Sequence, residues 1–149
     1  SMGDEVLGVV TALHYSAALA TPANRKFAQA YEAKFKQTPS YYSEGSYVAG
    51  IALKVALESI GGDVESADKL LGALRRVDLS DAPRGPMRFD DFGNPIQNVY
   101  VRKVERVGGR LQNTVIHTFS NVSQFWTYKA EDFLKNPVYS RDYPPCTKC

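Results

Sequence analysis

A chain of 149 residues with 44% hydrophobic and 23% charged side chains has the make-up of one soluble globular domain, long enough to bury a core. Its formal net charge of +2, from 18 basic and 16 acidic side chains, leaves no electrostatic footprint for nucleic acid or an anionic membrane. No apolar run approaches the ~20 residues of a membrane-spanning helix, so this segment is not expected to insert into a bilayer. The opening Ser1-Met2-Gly3-Asp4-Glu5 has neither the basic region nor the apolar core of a signal peptide, and Ser1-Met2 reads as the remnant of a cleaved tag.

The first element predicted is a strand over Val6 to Leu13, a near-continuous apolar run of the kind buried on both faces of a parallel sheet. No crossover unit precedes it to supply neighbours, which suggests a fragment. Thr21-Pro22 then starts a helix of roughly Pro22 to Lys36, with Phe27, Tyr31 and Phe35 in one aromatic stripe, and Thr38-Pro39-Ser40 breaks it. A second helix is predicted from Ser43 to Ile60, stopped by Gly61-Gly62. Its apolar residues cover most of its circumference, with Lys54 and Glu58 the main charged exceptions, as in a largely enclosed helix. A third, Ser66 to Arg76, turns Leu70, Leu71 and Leu74 inward and places Arg75 and Arg76 at its negative end.

From Asp78 the pattern changes. Pro83, Gly85 and Pro86 interrupt the chain, and Asp90-Asp91-Phe92-Gly93-Asn94-Pro95 reads as a turn. Strands Gln97 to Val107 and Arg110 to Phe119 flank Gly108-Gly109, a hairpin signal because primed turns need positive φ. The aromatic-rich tail from Asn121 to Cys149 looks pinned to a surface, with one short helix near Ala130 to Leu134.

In that order, four stretches resemble the branched-chain amino acid and amide family of type I periplasmic binding proteins. They are Gly8-Val9-Val10-Thr11 to Pro22-Ala23-Asn24, Tyr41-Tyr42-Ser43-Glu44-Gly45-Ser46-Tyr47, Arg84-Gly85-Pro86-Met87-Arg88-Phe89-Asp90-Asp91-Phe92-Gly93-Asn94-Pro95, and Pro137-Val138-Tyr139-Ser140-Arg141-Asp142-Tyr143. The resemblance implies an α/β fold, part of a two-lobed molecule with Rossmann-like lobes joined by crossing strands that closes on its ligand like a hinged trap. On that pattern residues 1–13 hold a strand and crossing of the C-terminal lobe. Residues 14–96, with three helices and a turn, belong to the N-terminal lobe, and residues 97–149 return to the C-terminal lobe and add the tail. A full member carries a long segment ahead of Ser1, including most ligand-contacting motifs.

Candidate binding residues are accordingly few. The resemblance places His14 and Tyr15 near a hinge crossing, although each histidine, His117 included, also reads as a surface or packing residue. The entry Tyr41-Tyr42-Ser43-Glu44 offers rings, a hydroxyl and helix N-terminal N–H groups to a ligand. The alternative is that Ser43 and Glu44 cap and charge a helix start while the tyrosines pack. Cys146 and Cys149 form a lone C-x-x-C. They suit a small disulfide in an oxidising compartment or an idle reduced tail, whereas a zinc site needs four ligands and a thioredoxin-type motif needs a helix at its first cysteine. Asp90-Asp91 lacks the spacing of a calcium loop.

No nucleophile elbow, P-loop, dinucleotide fingerprint or zinc-protease motif is present, so no enzyme activity, metal or cofactor is expected. The resemblance implies the substrate-binding component of an ABC importer in a bacterial periplasm. It would capture an amino acid, amide or aromatic acid in an interlobe cleft and engage a permease and the remainder of its own chain. The alternative is a ligand-sensing domain of a receptor or regulator.

Overall fold

A computed structural model describes residues 2–145 of the chain. Its centre is a hairpin of two 13-residue strands, β4 (Pro95–Val107) and β5 (Arg110–Val122). The turn between them needs left-handed backbone at both positions, and Gly108 and Gly109 supply it at φ 58° and 79°. Shorter strands complete the sheet: β1 (Val10–Leu13), β2 (Asp78–Leu79) and β3 (Met87–Phe89). All pairings are antiparallel.

Because β5 lines one edge of β4 from Gln97 to Val107, the other strands share the opposite edge. There β3 pairs with Pro95–Gln97, and β1 pairs farther along, Leu13 facing Tyr100 and Val10 facing Lys103. One strand therefore passes from one set of neighbours to another along its length. Irregularities in its pairing with β5 fall at Gln97/Val99 and Val101/Arg102, around this changeover.

Helices α1 (Pro22–Phe35), α2 (Tyr41–Ser59) and α3 (Ala67–Arg75) form two packing groups with the sheet, and α4 (Ala130–Phe133) sits in the tail. Val48, Ala52 and Ala56 form one stripe of α2, and with Ala73 of α3 they bury Val77, Leu79, Ala82 and Met87. A second core joins Tyr15, Leu19 and Phe27 to Tyr100 of β4, with Tyr31 and Val115 against it. The rings of Phe27 and Tyr47, 4.7 Å apart, link α1 to α2.

Several sequence expectations need correction. The first strand covers Val10–Leu13 only, since residues 4–6 coil into a single 3-10 turn. It is antiparallel, its partner comes from later in the chain, and Val10 is 57% exposed rather than buried on both faces. Helix α2 begins two residues before Ser43: the Ser40 hydroxyl accepts from the Ser43 N–H and the Ser43 side chain returns a bond to the Ser40 backbone, so Ser40 is the cap. Only one stripe of α2 is enclosed, Tyr47, Leu53 and Val55 being exposed, and Leu71 of α3 faces outward. The tail is held in part, Phe125 packing edge-on against Phe92 of the β3–β4 turn and Trp126 meeting Phe119 of β5 edge-on, whereas Tyr128 and Tyr139 are exposed. Cys146 and Cys149 lie outside the described residues.

Asn24 holds the entry to α1 together. It is fully buried; its amide donates to the carbonyls of Ala17 and Leu19 at 3.0 and 2.9 Å and its oxygen accepts from the Tyr15 hydroxyl at 2.9 Å. Removing a buried partner strands the groups it satisfied. Asn24→Ala is expected to cost about 2–3 kcal/mol and Tyr15→Phe about 1 kcal/mol, read by urea unfolding.

Candidate functional site

A groove of about 490 Å³ runs between the segment after β1, the C-terminal half of α1, the 38–41 connection and the hairpin. Its lining is mixed: Leu13, Ala17, Ala28 and Pro39 stand beside Glu32, Ser40, Arg102 and Arg110. Tyr41 also lines it. Its ring lies 4.0 Å from that of Tyr42 and meets His14 edge-on at 6.1 Å, giving the groove an aromatic lip.

The five candidate residues divide. His14, Tyr41 and Tyr42 come together at this lip, Tyr42 being 71% exposed and Tyr41 37%. Tyr15 contributes to the groove wall, but it is 1% exposed and its hydroxyl is committed to Asn24. Glu44 does not face the groove. It has no exposed surface, and both carboxylate oxygens are taken by Arg84, whose Nε donates at 2.9 Å and Nη2 at 2.7 Å. Three residues into α2 from Tyr41, its side chain turns inward to the sheet rather than outward to a ligand, so it is a structural anchor. Burial pushes its carboxyl up from the ordinary carboxylate range, and the bidentate guanidinium works against that push.

Arg84 extends the anchor. Its Nη1 donates to Gln97 at 2.7 Å, and its carbonyl accepts from the Tyr100 hydroxyl at 2.6 Å. Gly85 follows because a Cβ there would sit 2.9 Å from the Tyr100 oxygen, at a φ of 91°. A second arginine orders the groove floor. Arg102 donates from Nη1 to the Tyr15 carbonyl at 2.7 Å and from Nη2 to Thr11 at 2.9 Å, fixing the segment that bears His14. Ser16 ties the same segment to the Asn113 carbonyl.

Sequence reasoning passed over Arg84, Arg102 and Asn24 as functional supports. Asn24 and Arg84 carried a faint signal, lying in stretches that bear the family resemblance; Arg102, in the middle of an alternating strand, carried none. The Asp90 turn is structural: its carboxylate accepts from the N–H groups of Phe92 and Asn94 and from the Gln124 amide. Among the described residues, no cluster of His, Cys, Asp and Glu is arranged to hold a metal ion.

Comparison with known proteins gives consistent results. A family model described as "Periplasmic binding protein" matches residues 1–110. A Leu/Ile/Val-binding protein homolog 6 of Brucella abortus is 31% identical over 123 residues, covering 80% of this chain and 31% of that protein. A solute-binding protein of an ABC transporter from Rhodopseudomonas palustris BisB5, solved with 3,4-dihydroxybenzoic acid, superposes with a TM-score of 0.79 at 39% identity, covering 83% of this chain and 34% of the other. Another R. palustris solute-binding protein, solved with benzoate, gives a TM-score of 0.68 at 29% identity over 79% of this chain and 32% of its own. The chain thus spans about a third of the length of the relatives it matches.

His14 provides a check on the electrostatics. Partial burial, then the fields of Arg84 and Arg102, lower its pKa from 6.5 to about 4, so the folded chain keeps the ring neutral. The unfolded chain binds a proton below pH 6.5 and the folded chain resists it until about 4. This contribution to stability is complete above pH 6.5 and declines as pH falls toward 4. Proton NMR should find the His14 ring titrating near 4. His14→Gln should flatten the stability slope across that window by about 1–2 kcal/mol, since the half-buried ring keeps part of its hydration.

Proposed function

The chain belongs to the periplasmic binding protein family, and we propose that it forms part of a protein that captures a small organic acid, an aromatic one by preference, for an ABC importer. One observation carries this reading: Tyr41, its ring against that of Tyr42, lines a groove of mixed polarity that also bears Arg102. Stacked rings recognise a flat solute by area and quadrupole, while the cationic floor suits its carboxylate. The aromatic acids bound by the R. palustris relatives support the same class.

The remaining assignments follow from family membership. The site is shared between two lobes, with residues 14–96 in one and, of the described residues, 2–13 and 97–145 in the other, and the remainder of the protein completes both. The support is that β4 exchanges β3 for β1 along one edge and runs between two cores, the second of which joins Tyr15 and Phe27 to Tyr100 and so bridges the two groups of residues. Closure of the lobes over the solute presents the protein to a permease in the periplasm. Among the described residues no helix is long and apolar enough to cross a membrane. The reading gives the chain a binding role without catalysis, the role of the solute-binding relatives it matches.

The test is a thermal-shift screen of the whole protein against aromatic acids, branched-chain amino acids and amides. A ligand that binds only the folded state raises Tm with concentration. Benzoate or a hydroxybenzoate should give the largest rise. A rise with amino acids or amides and none with aromatic acids would overturn the preference. Calorimetry should also find that residues 1–149 alone bind the same acid far more weakly than the whole protein, because only parts of each lobe are present.

A further inference from the structure

Two arginines, Arg102 and Arg110, line the groove and a third, Arg84, lies behind it; they differ in how their charge is met. Arg84 is neutralised by Glu44 in a buried bidentate pair. Arg110 stands 3.8 Å from Glu32 across the groove. Among the described residues Arg102 has no carboxylate within ion-pair distance, although it is only partly exposed and lines the groove floor. Two of its nitrogens serve the neutral acceptors Tyr15 carbonyl and Thr11 hydroxyl, and its Nε is buried with no hydrogen-bond partner.

We propose that Arg102 is the specificity-determining charge of the groove, selecting an anionic ligand over its neutral counterpart. This rests on the solute-capture reading above and assigns the selection to one residue. A partly desolvated cation without a counter-charge makes the empty groove electrostatically incomplete, and a carboxylate entering it supplies the missing charge. A neutral amide of the same shape brings dipoles but no charge, so it forgoes that gain. The two bonds to Tyr15 and Thr11 fix the guanidinium in place, so little is spent on ordering it when the ligand arrives.

The probes are benzoate and benzamide, which share a ring and differ in charge, titrated into the whole protein by calorimetry. Wild type should favour benzoate. Arg102→Gln should weaken benzoate by about tenfold or more and move benzamide by less than about twofold, as expected on losing an interaction with a charged group. Arg102→Lys keeps the charge and should keep the preference. Since Arg102 also holds the Tyr15 segment, Asn113→Asp serves as a second route. It adds a near-isosteric carboxylate to the same wall, leaves the backbone bond from Ser16 in place, and should lower benzoate affinity selectively. Equal losses for both probes in Arg102→Gln, or unchanged benzoate binding in either that variant or Asn113→Asp, would overturn the assignment. Failure of the wild-type protein to bind benzoate at all would instead overturn the solute-capture reading, and this inference with it.

Discussion

The Glu44–Arg84 ion pair is the contact on which the remaining arrangement depends. It joins three segments far apart in sequence: the first turn of α2, the bend that precedes β3, and β4 through Gln97 and Tyr100. Tyr100 in turn belongs to the core around Tyr15 and Phe27, whereas Ala82 and Met87 on either side of Arg84 belong to the core beneath α2 and α3. A single guanidinium and its own carbonyl thus tie the two cores together. Taking two charges out of water is costly, and a well-packed apolar substitute is often equally stable. What an apolar pair lacks is direction. The planar fork accepts one orientation of the carboxylate, which fixes the rotation of α2 and with it the position of Tyr41 at the groove.

The sheet supplies the second constraint. Alternation along β4 puts Tyr100 and Arg102 on the face covered by α1, while the cross-strand row Ala12, Val101 and His117 lies on the other. That second face is thinly covered: Val10, Ile116, Phe119 and Trp126 all keep large exposed surfaces. The groove residues therefore rest on a strand whose two edges are paired but whose second face is open. Rigid pairing locates Arg102, and two arginine bonds pass that order to the segment bearing His14.

Local signals predicted the elements well because they are set by nearby residues. Pro22, the Gly108-Gly109 turn and the break at Thr38-Pro39-Ser40 act within a few positions, and the helices and hairpin fall where they indicate. The failures are long-range. Nothing near Val6–Leu13 discloses that its partner lies some ninety residues later and runs antiparallel. Glu44 looked like a charge at a helix start because its partner, Arg84, is forty positions away. Tyr15 and Tyr41 have the same side chain and both line the groove, yet one is buried with its hydroxyl committed to Asn24 and the other is exposed. Of the candidate residues, His14, Tyr41 and Tyr42 do come together in space, while Arg84 and Arg102, which fix the segments around them, were not among the candidates.

A double-mutant cycle at Glu44 and Arg84 tests the central claim most directly. Glu44→Gln, Arg84→Gln and the double variant would be unfolded in urea beside wild type. Breaking one side of a buried pair leaves its partner charge unmet, at about 3–5 kcal/mol, so each single variant should be strongly destabilised. The double variant should cost far less than the sum of the singles, a coupling of a few kcal/mol. Additive losses would show that the two side chains act independently, and the junction between the two cores would then have to be sought elsewhere.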